Sequence, residues 1–101
     1  MEKTAKTAKI KKITMFTMRS CPYCQRARKW MDEVLKSDAK YAEIPLTVID
    51  EVEEPEIAAK FDYYYVPTYY IDNKKVHEGA ATFEIVKKVF DDALDALDSL
   101  E

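Results

Sequence analysis

The period of the apolar positions changes along this chain, and each change marks an element. Lys11–Met18, KKITMFTM, is a compact run of β-branched, aromatic and methionine residues. It is long enough for a strand and too short for a helix. From Pro22 the period lengthens: Ala27, Trp30, Met31, Val34 and Leu35 recur three and four apart, the stripe of an amphipathic helix reaching about Lys36. Proline suits the first turn, where its missing N–H has no intrahelical partner. IPLTVID, Ile44–Asp50, reads as a second, mostly buried strand, and EEPEIAAKF, Glu53–Phe61, as a short helix with Pro55 in its first turn. VPTYYID, Val66–Asp72, is a third strand. Asp72-Asn73-Lys74 turns it into KVHE, and Gly79, the only glycine, closes that hairpin. Phe83, Val86, Val89, Phe90, Ala93, Leu94 and Leu97 then trace a long amphipathic helix with Thr82 as its N-cap.

The order β-α-β-α-β-β-α predicts a mixed four-stranded sheet with helices on both faces and the first two strands parallel. Strands covered on both sides read as continuous apolar runs, as ITMFTM and PLTVI do. With 101 residues, the chain is expected to form one domain over residues 11–101, preceded by a flexible basic segment, residues 1–10.

Composition narrows the function classes. Apolar residues at 48% and charged residues at 35% suit a globular protein. A net charge of −3 argues against nucleic acid, whose partners carry a basic footprint. No apolar run approaches the roughly 20 residues of a membrane span, and MEKTAKTAKIKK has no hydrophobic signal region, so a cytoplasmic location is expected. In that reducing compartment a close cysteine pair is more often catalytic, redox-sensing or metal-binding than a permanent cross-link. Charge is uneven: Lys3, Lys6, Lys9, Lys11 and Lys12 make the start basic, whereas Glu51–Glu56 and Asp91–Glu101 are acidic.

The chain's two cysteines are Cys21 and Cys24, in MFTMRSCPYCQRARKW. They could form a redox couple, half of a metal site, or a pair of buried thiols. Three residues apart at a helix start, they fall about 5–6 Å apart on one face, within reach of a disulfide. Position makes them unequal. Cys21 would sit among unpaired backbone amides at the positive end of the helix dipole, which favours thiolate, while Cys24 would lie deeper and keep its proton. Arg19 and Arg26 could add positive charge near Cys21; Arg28 reads as solvated. A zinc site needs four ligands as a rule, and His77, read as an exposed hairpin residue, is the one histidine, so no metal is expected.

CPYC followed by Gln25-Arg26-Ala27-Arg28 resembles the active-site stretch of dithiol glutaredoxins. Together with the later Val66-Pro67-Thr68, it places residues 11–97 in likeness to the thioredoxin superfamily. The resemblance implies a thioredoxin-like fold, Cys21 as nucleophile and Cys24 as resolving cysteine. It implies Pro67 as a cis-proline facing them, Val66 offering main-chain hydrogen bonds to substrate, and Tyr23 lining the groove. Arg19 would assist substrate binding and Arg26 would tune the nucleophile. Tyr69 and Tyr70 should fill opposite faces of the sheet, with at least one of Tyr63–Tyr65 at the surface near Pro67.

The departures also count. Glutaredoxins usually carry a Gly-Gly pair and a following Asp that bind glutathione; here those positions are His77-Glu78 and Ala80. Met18 stands where a basic residue is usual. The expectation is therefore a monomeric oxidoreductase acting on protein disulfides, with no bound cofactor, recycled by a thioredoxin-reductase-like flavoenzyme or by glutathione. A glutathione-dependent glutaredoxin, a glutathione-assisted iron–sulfur carrier and a redox-inert interaction module are the alternatives.

Overall fold

The computed structural model describes residues 10–98, and side chains through Leu94. The basic residues Lys3, Lys6 and Lys9 lie outside the described residues, as do the side chains of Asp95, Leu97 and Asp98 and all of Glu101. The elements are β1 (Ile13–Thr17), α1 (Pro22–Ser37), a 3-10 helix (Ala39–Glu43), β2 (Leu46–Asp50), α2 (Pro55–Ala58), β3 (Thr68–Ile71), β4 (Lys74–Glu78) and α3 (Phe83–Asp98).

The four strands form one mixed sheet in the order β2-β1-β3-β4. β1 runs parallel to β2 and antiparallel to β3, and β3 runs antiparallel to β4. Met15 thus lies opposite Val48 on one side and Tyr69 on the other. β1 is buried along its whole length because it has a strand on each edge and helices over both faces. Alternate residues divide between those faces. Ile13 and Met15 pack with Ala27, Met31 and Val34 of α1 and Val86, Val89, Phe90 and Ala93 of α3. Phe16 points the other way, into a smaller cluster with Ile49, Ala58 and Tyr70. The rings of Phe61, Tyr63 and Tyr70 surround Phe16 at centroid distances of 4.7, 4.8 and 5.8 Å. Tyr69 and Tyr70 do fill opposite faces, the first in the α1–α3 cluster and the second beside Phe16.

β2 corrects the sequence reading. It begins at Leu46, not Ile44, and among its five residues only Ile49 is buried, because β2 is an edge strand. Ile44 is buried instead as the C-cap of the 3-10 helix. That helix starts where the Asp38 side chain accepts the Lys40 amide at 3.0 Å, and it brings Tyr41 into the core to donate its hydroxyl to Asp91 at 2.6 Å. α2 is a single turn rather than the nine residues expected. β3 starts after Pro67, two residues late. Ile10, the first described residue, packs against the main cluster, and the Lys11 amide donates to Ala93 at 3.2 Å. Thr82 caps α3 as expected, its hydroxyl accepting the Ile85 amide at 3.1 Å.

Candidate active site

α1 begins at the carboxyl end of β1, and both cysteines lie at this junction. Pro22 occupies the first turn and Cys21 the N-cap, with extended backbone and a carbonyl that accepts the Gln25 amide at 3.0 Å. The Cys21 sulfur therefore stands at the positive end of the helix dipole. Cys21 is half-buried, whereas Cys24, one turn on, is 1% exposed and continues into the buried stripe Ala27, Met31 and Val34. The inequality expected of the pair is present in the packing, and both thiols are free.

Burial pushes the Cys24 thiol above its ordinary value. Hydrogen bonds from the Thr17 side chain and the Met18 backbone pull the other way, and the neighbouring Cys21 adds to the rise. Desolvation wins because an anionic sulfur loses more hydration than two donors restore. At rest Cys24 is a thiol.

The loop before β3 faces the pair. The Val66–Pro67 peptide bond is cis, and the Val66 carbonyl oxygen lies 3.9 Å from Cys21 Sγ. Glu78 of β4 holds this loop: its carboxylate accepts the amides of Tyr64 and Tyr65, the latter at 3.0 Å, while Lys75 Nζ donates to it at 2.8 Å. The Lys75 bond, then the two amides, lower the Glu78 carboxyl to about 2. The Gly79 amide fixes the Pro67 carbonyl at 2.8 Å.

Tyr63 is packed against Phe16 and donates its hydroxyl to Glu51 at 2.8 Å, while Tyr64 and Tyr65 are 85% and 70% exposed. Tyr23, between the cysteines, is exposed as well, and the Arg26 guanidinium stands 5.1 Å above its ring. Arg26 thus meets an aromatic face, a cation–π contact. Arg19 forms an ion pair with Glu53, and its amide donates to Asp50 at 3.0 Å. Burial raises the Asp50 carboxyl, but the amides of Val52, Glu53 and Arg19 outweigh it and leave the group below its ordinary value. A cleft of about 500 Å³ opens behind the dithiol, lined by Cys24, Gln25, Arg28, Arg19, Asp50 and Glu53 among others.

His77 departs from its sequence reading. It is half-buried, and Nε2 meets the carbonyls of Gly79 at 3.1 Å and Ala80 at 2.9 Å, so the imidazole pins the turn after β4. Glu78 is the positioning residue that sequence reading missed; the signal was only its place at the end of the hairpin strand β4, opposite Thr68. No group of three or more His, Cys, Asp or Glu among the described residues could hold a metal ion. No helix among them is long and apolar enough to cross a membrane.

A cysteine pair at a strand-to-helix junction, opposite a cis-proline on a mixed four-stranded sheet, defines the thioredoxin-like class. A family model described as a thioredoxin domain matches residues 8–91, and the chain belongs to that family. No curated protein matches the sequence. Among solved structures, the oxidised thioredoxin of Plasmodium falciparum superposes with a TM-score of 0.65 at 20% identity, over 88% of this chain and 86% of that one. An uncharacterized thioredoxin-like protein from Clostridium perfringens gives 0.63 at 24% identity, over 84% and 71%. At these identities the likeness is one of fold.

Proposed function

We propose that the protein is a thiol–disulfide oxidoreductase that reduces protein disulfides through Cys21 and Cys24. The observation that carries this reading is the placement of the two sulfurs: Cys21 partly open at the N-cap of α1 beside Val66, and Cys24 sealed one turn deeper. The Cys21 thiolate attacks one sulfur of a substrate disulfide, forming a mixed disulfide and releasing the first substrate thiolate. Cys24 gives up its proton to solvent and attacks Cys21. The Cys21–Cys24 disulfide forms, the second thiolate leaves, and two electrons have passed to the substrate. The main chain at Val66–Pro67 receives the substrate segment, and Tyr23, Tyr64 and Tyr65 supply apolar contact around it.

Reduction of the oxidised form by a thioredoxin-reductase-like flavoenzyme is favoured over glutathione. Two cations that could greet a small anionic peptide already hold carboxylates: Arg19 with Glu53 at the cleft, and Lys75 with Glu78. Glu78 itself is an anion. The test is insulin disulfide reduction driven either by thioredoxin reductase with a nicotinamide cofactor or by glutathione with its own reductase. Faster turnover with the flavoenzyme is expected. Faster turnover with glutathione replaces this reading with a glutathione-dependent glutaredoxin, and no turnover with either ends the oxidoreductase assignment.

A further inference from the structure

Tyr69 is 0% exposed, yet its hydroxyl has no hydrogen-bond partner in the described structure. Leaving a buried polar group unmatched is costly, and such groups are rare in native proteins. The contrast with the next residue is direct: the Tyr70 hydroxyl, on the opposite face, donates to the Asp62 carbonyl at 2.7 Å and accepts the Asp62 amide at 3.1 Å. A phenylalanine would fill the core at position 69 without the penalty, so packing alone does not account for the oxygen.

Its location gives it a use. Tyr69 lies opposite Met15, two residues before Thr17 on β1, and its ring packs in the cluster that includes Ala27 and Met31 of α1. Thr17 lines the same cleft as Cys24, and Ala27 is the next buried position along α1 after Cys24. The hydroxyl is thus enclosed on the same side of the sheet as the resolving thiol. Burial raises the Tyr69 phenol far above its ordinary value, with the Cys24 charge adding to the rise and Arg28 opposing it. It therefore keeps its proton throughout the neutral range and has that proton to donate.

We propose that the Tyr69 hydroxyl is held without a partner in the resting dithiol so that it can stabilise the Cys24 thiolate when that anion forms to resolve the mixed disulfide. The inference rests on the oxidoreductase reading. Tyr69 keeps its own proton: the Cys24 proton leaves to solvent, the Cys24 sulfur attacks Cys21, and the hydroxyl donates to the sulfur while it is anionic. In the resting structure the hydroxyl makes no hydrogen bond, so its bond to the sulfur forms only as the charge develops; Tyr69 acts through Cys24 and is a positioning residue.

The test uses the reduced full chain and an aromatic nitrobenzoate disulfide in stopped flow. Each step of the reaction releases one coloured thiolate, so attack by Cys21 and resolution by Cys24 appear as separate phases. Tyr69→Phe is expected to leave the first phase unchanged and to slow the second about tenfold, the loss of one hydrogen bond to a charged group. Its thermal midpoint should equal or exceed that of the wild type, because an unmatched oxygen has been removed. In a Cys21→Ser background, the rise of thiolate absorbance from Cys24 should move to higher pH when Tyr69 is replaced. The charged groups around the cleft, Arg28, Arg19, Asp50, Glu53 and Glu54, are untouched by that change.

A second phase at the wild-type rate overturns the inference. So does one slowed only as much as in Tyr70→Phe, which would assign the effect to loosened packing. Failure of the wild type to show two phases would instead sink the oxidoreductase reading on which it rests.

Discussion

Cys21 Sγ lies 3.9 Å from the carbonyl oxygen of Val66, a residue forty-five positions further along the chain. β1 delivers the first and β3 follows the second, and the antiparallel pairing of those strands sets the carboxyl end of one against the entry to the other. The cis Val66–Pro67 main chain therefore borders the Cys21 sulfur.

From this follows the most basic expectation. Cys21→Ser should reduce disulfide reductase activity to the uncatalysed background. Cys24→Ser should retain the first attack and accumulate a mixed disulfide, visible as added mass on the intact protein. Iodoacetamide under native conditions should modify Cys21 first, because Cys24 is sealed and its thiol is held protonated by burial. Equal labelling of the two cysteines would contradict the asymmetry.

Glu78 predicts an acid-sensitive loop. Its carboxyl is lowered from the ordinary 4.5 to about 2 by Lys75 and by the amides of Tyr64 and Tyr65. A group depressed on folding stabilises the native state above its unfolded pKa, and the contribution is lost as pH falls through the folded value. Wild-type stability should therefore decline between about pH 4.5 and pH 2. Glu78→Gln should flatten that part of the profile in urea unfolding followed by circular dichroism, and should weaken substrate turnover at neutral pH through a looser Tyr64–Pro67 segment. An unchanged acid profile would mean that the clamp contributes nothing.

How the sequence disclosed some of these features and hid others has physical reasons. Ala27, Met31 and Val34 were legible because an amphipathic stripe is a local pattern, and the unequal exposure of Cys21 and Cys24 follows from the same helix start. The opposite burial of Tyr69 and Tyr70 follows from the alternation of a strand. The loop-holding role of Glu78 was not legible: Lys75 is a local partner, but the main-chain amides that the carboxylate accepts belong to residues thirteen and fourteen positions away. The exposure of β2 depended on the strand order, which places it at an edge, and an apolar run does not encode that. The Ala39–Glu43 turn did leave a trace, since Asp38 two residues before an amide it can accept is a local capping signal.

Tyr70 offers a measurement of how much the second cluster depends on a single oxygen. The hydroxyl ties the Asp62 main chain to β3, with the Phe16 and Phe61 rings against the Tyr70 ring at 5.8 and 5.1 Å. Tyr70→Phe keeps the ring contacts and removes both hydrogen bonds. Exposed Asp62 can recover water, so the expected loss is about 1 kcal/mol in urea unfolding. A neutral or stabilising result would show that the Asp62 contacts are incidental.

Gly79 combines a backbone requirement with a position next to the site. Its φ is +98°, a conformation that residues with a Cβ rarely adopt, although a Cβ placed there would meet nothing within 4 Å. Sterically the site is open, so any cost of substitution must come from the main chain itself. Gly79→Ala should destabilise the protein by about 1–3 kcal/mol, the range for a residue forced into a sparsely populated region. Relief of that strain would rotate the Gly79 amide away from the Pro67 carbonyl, now 2.8 Å distant, and loosen the segment opposite Cys21. Activity should therefore fall further than stability alone explains, with KM rising more than kcat declines, when initial rates are taken well below the unfolding midpoint. Full activity in a destabilised Gly79→Ala protein would separate the turn from the site and limit Gly79 to a role in closing the hairpin.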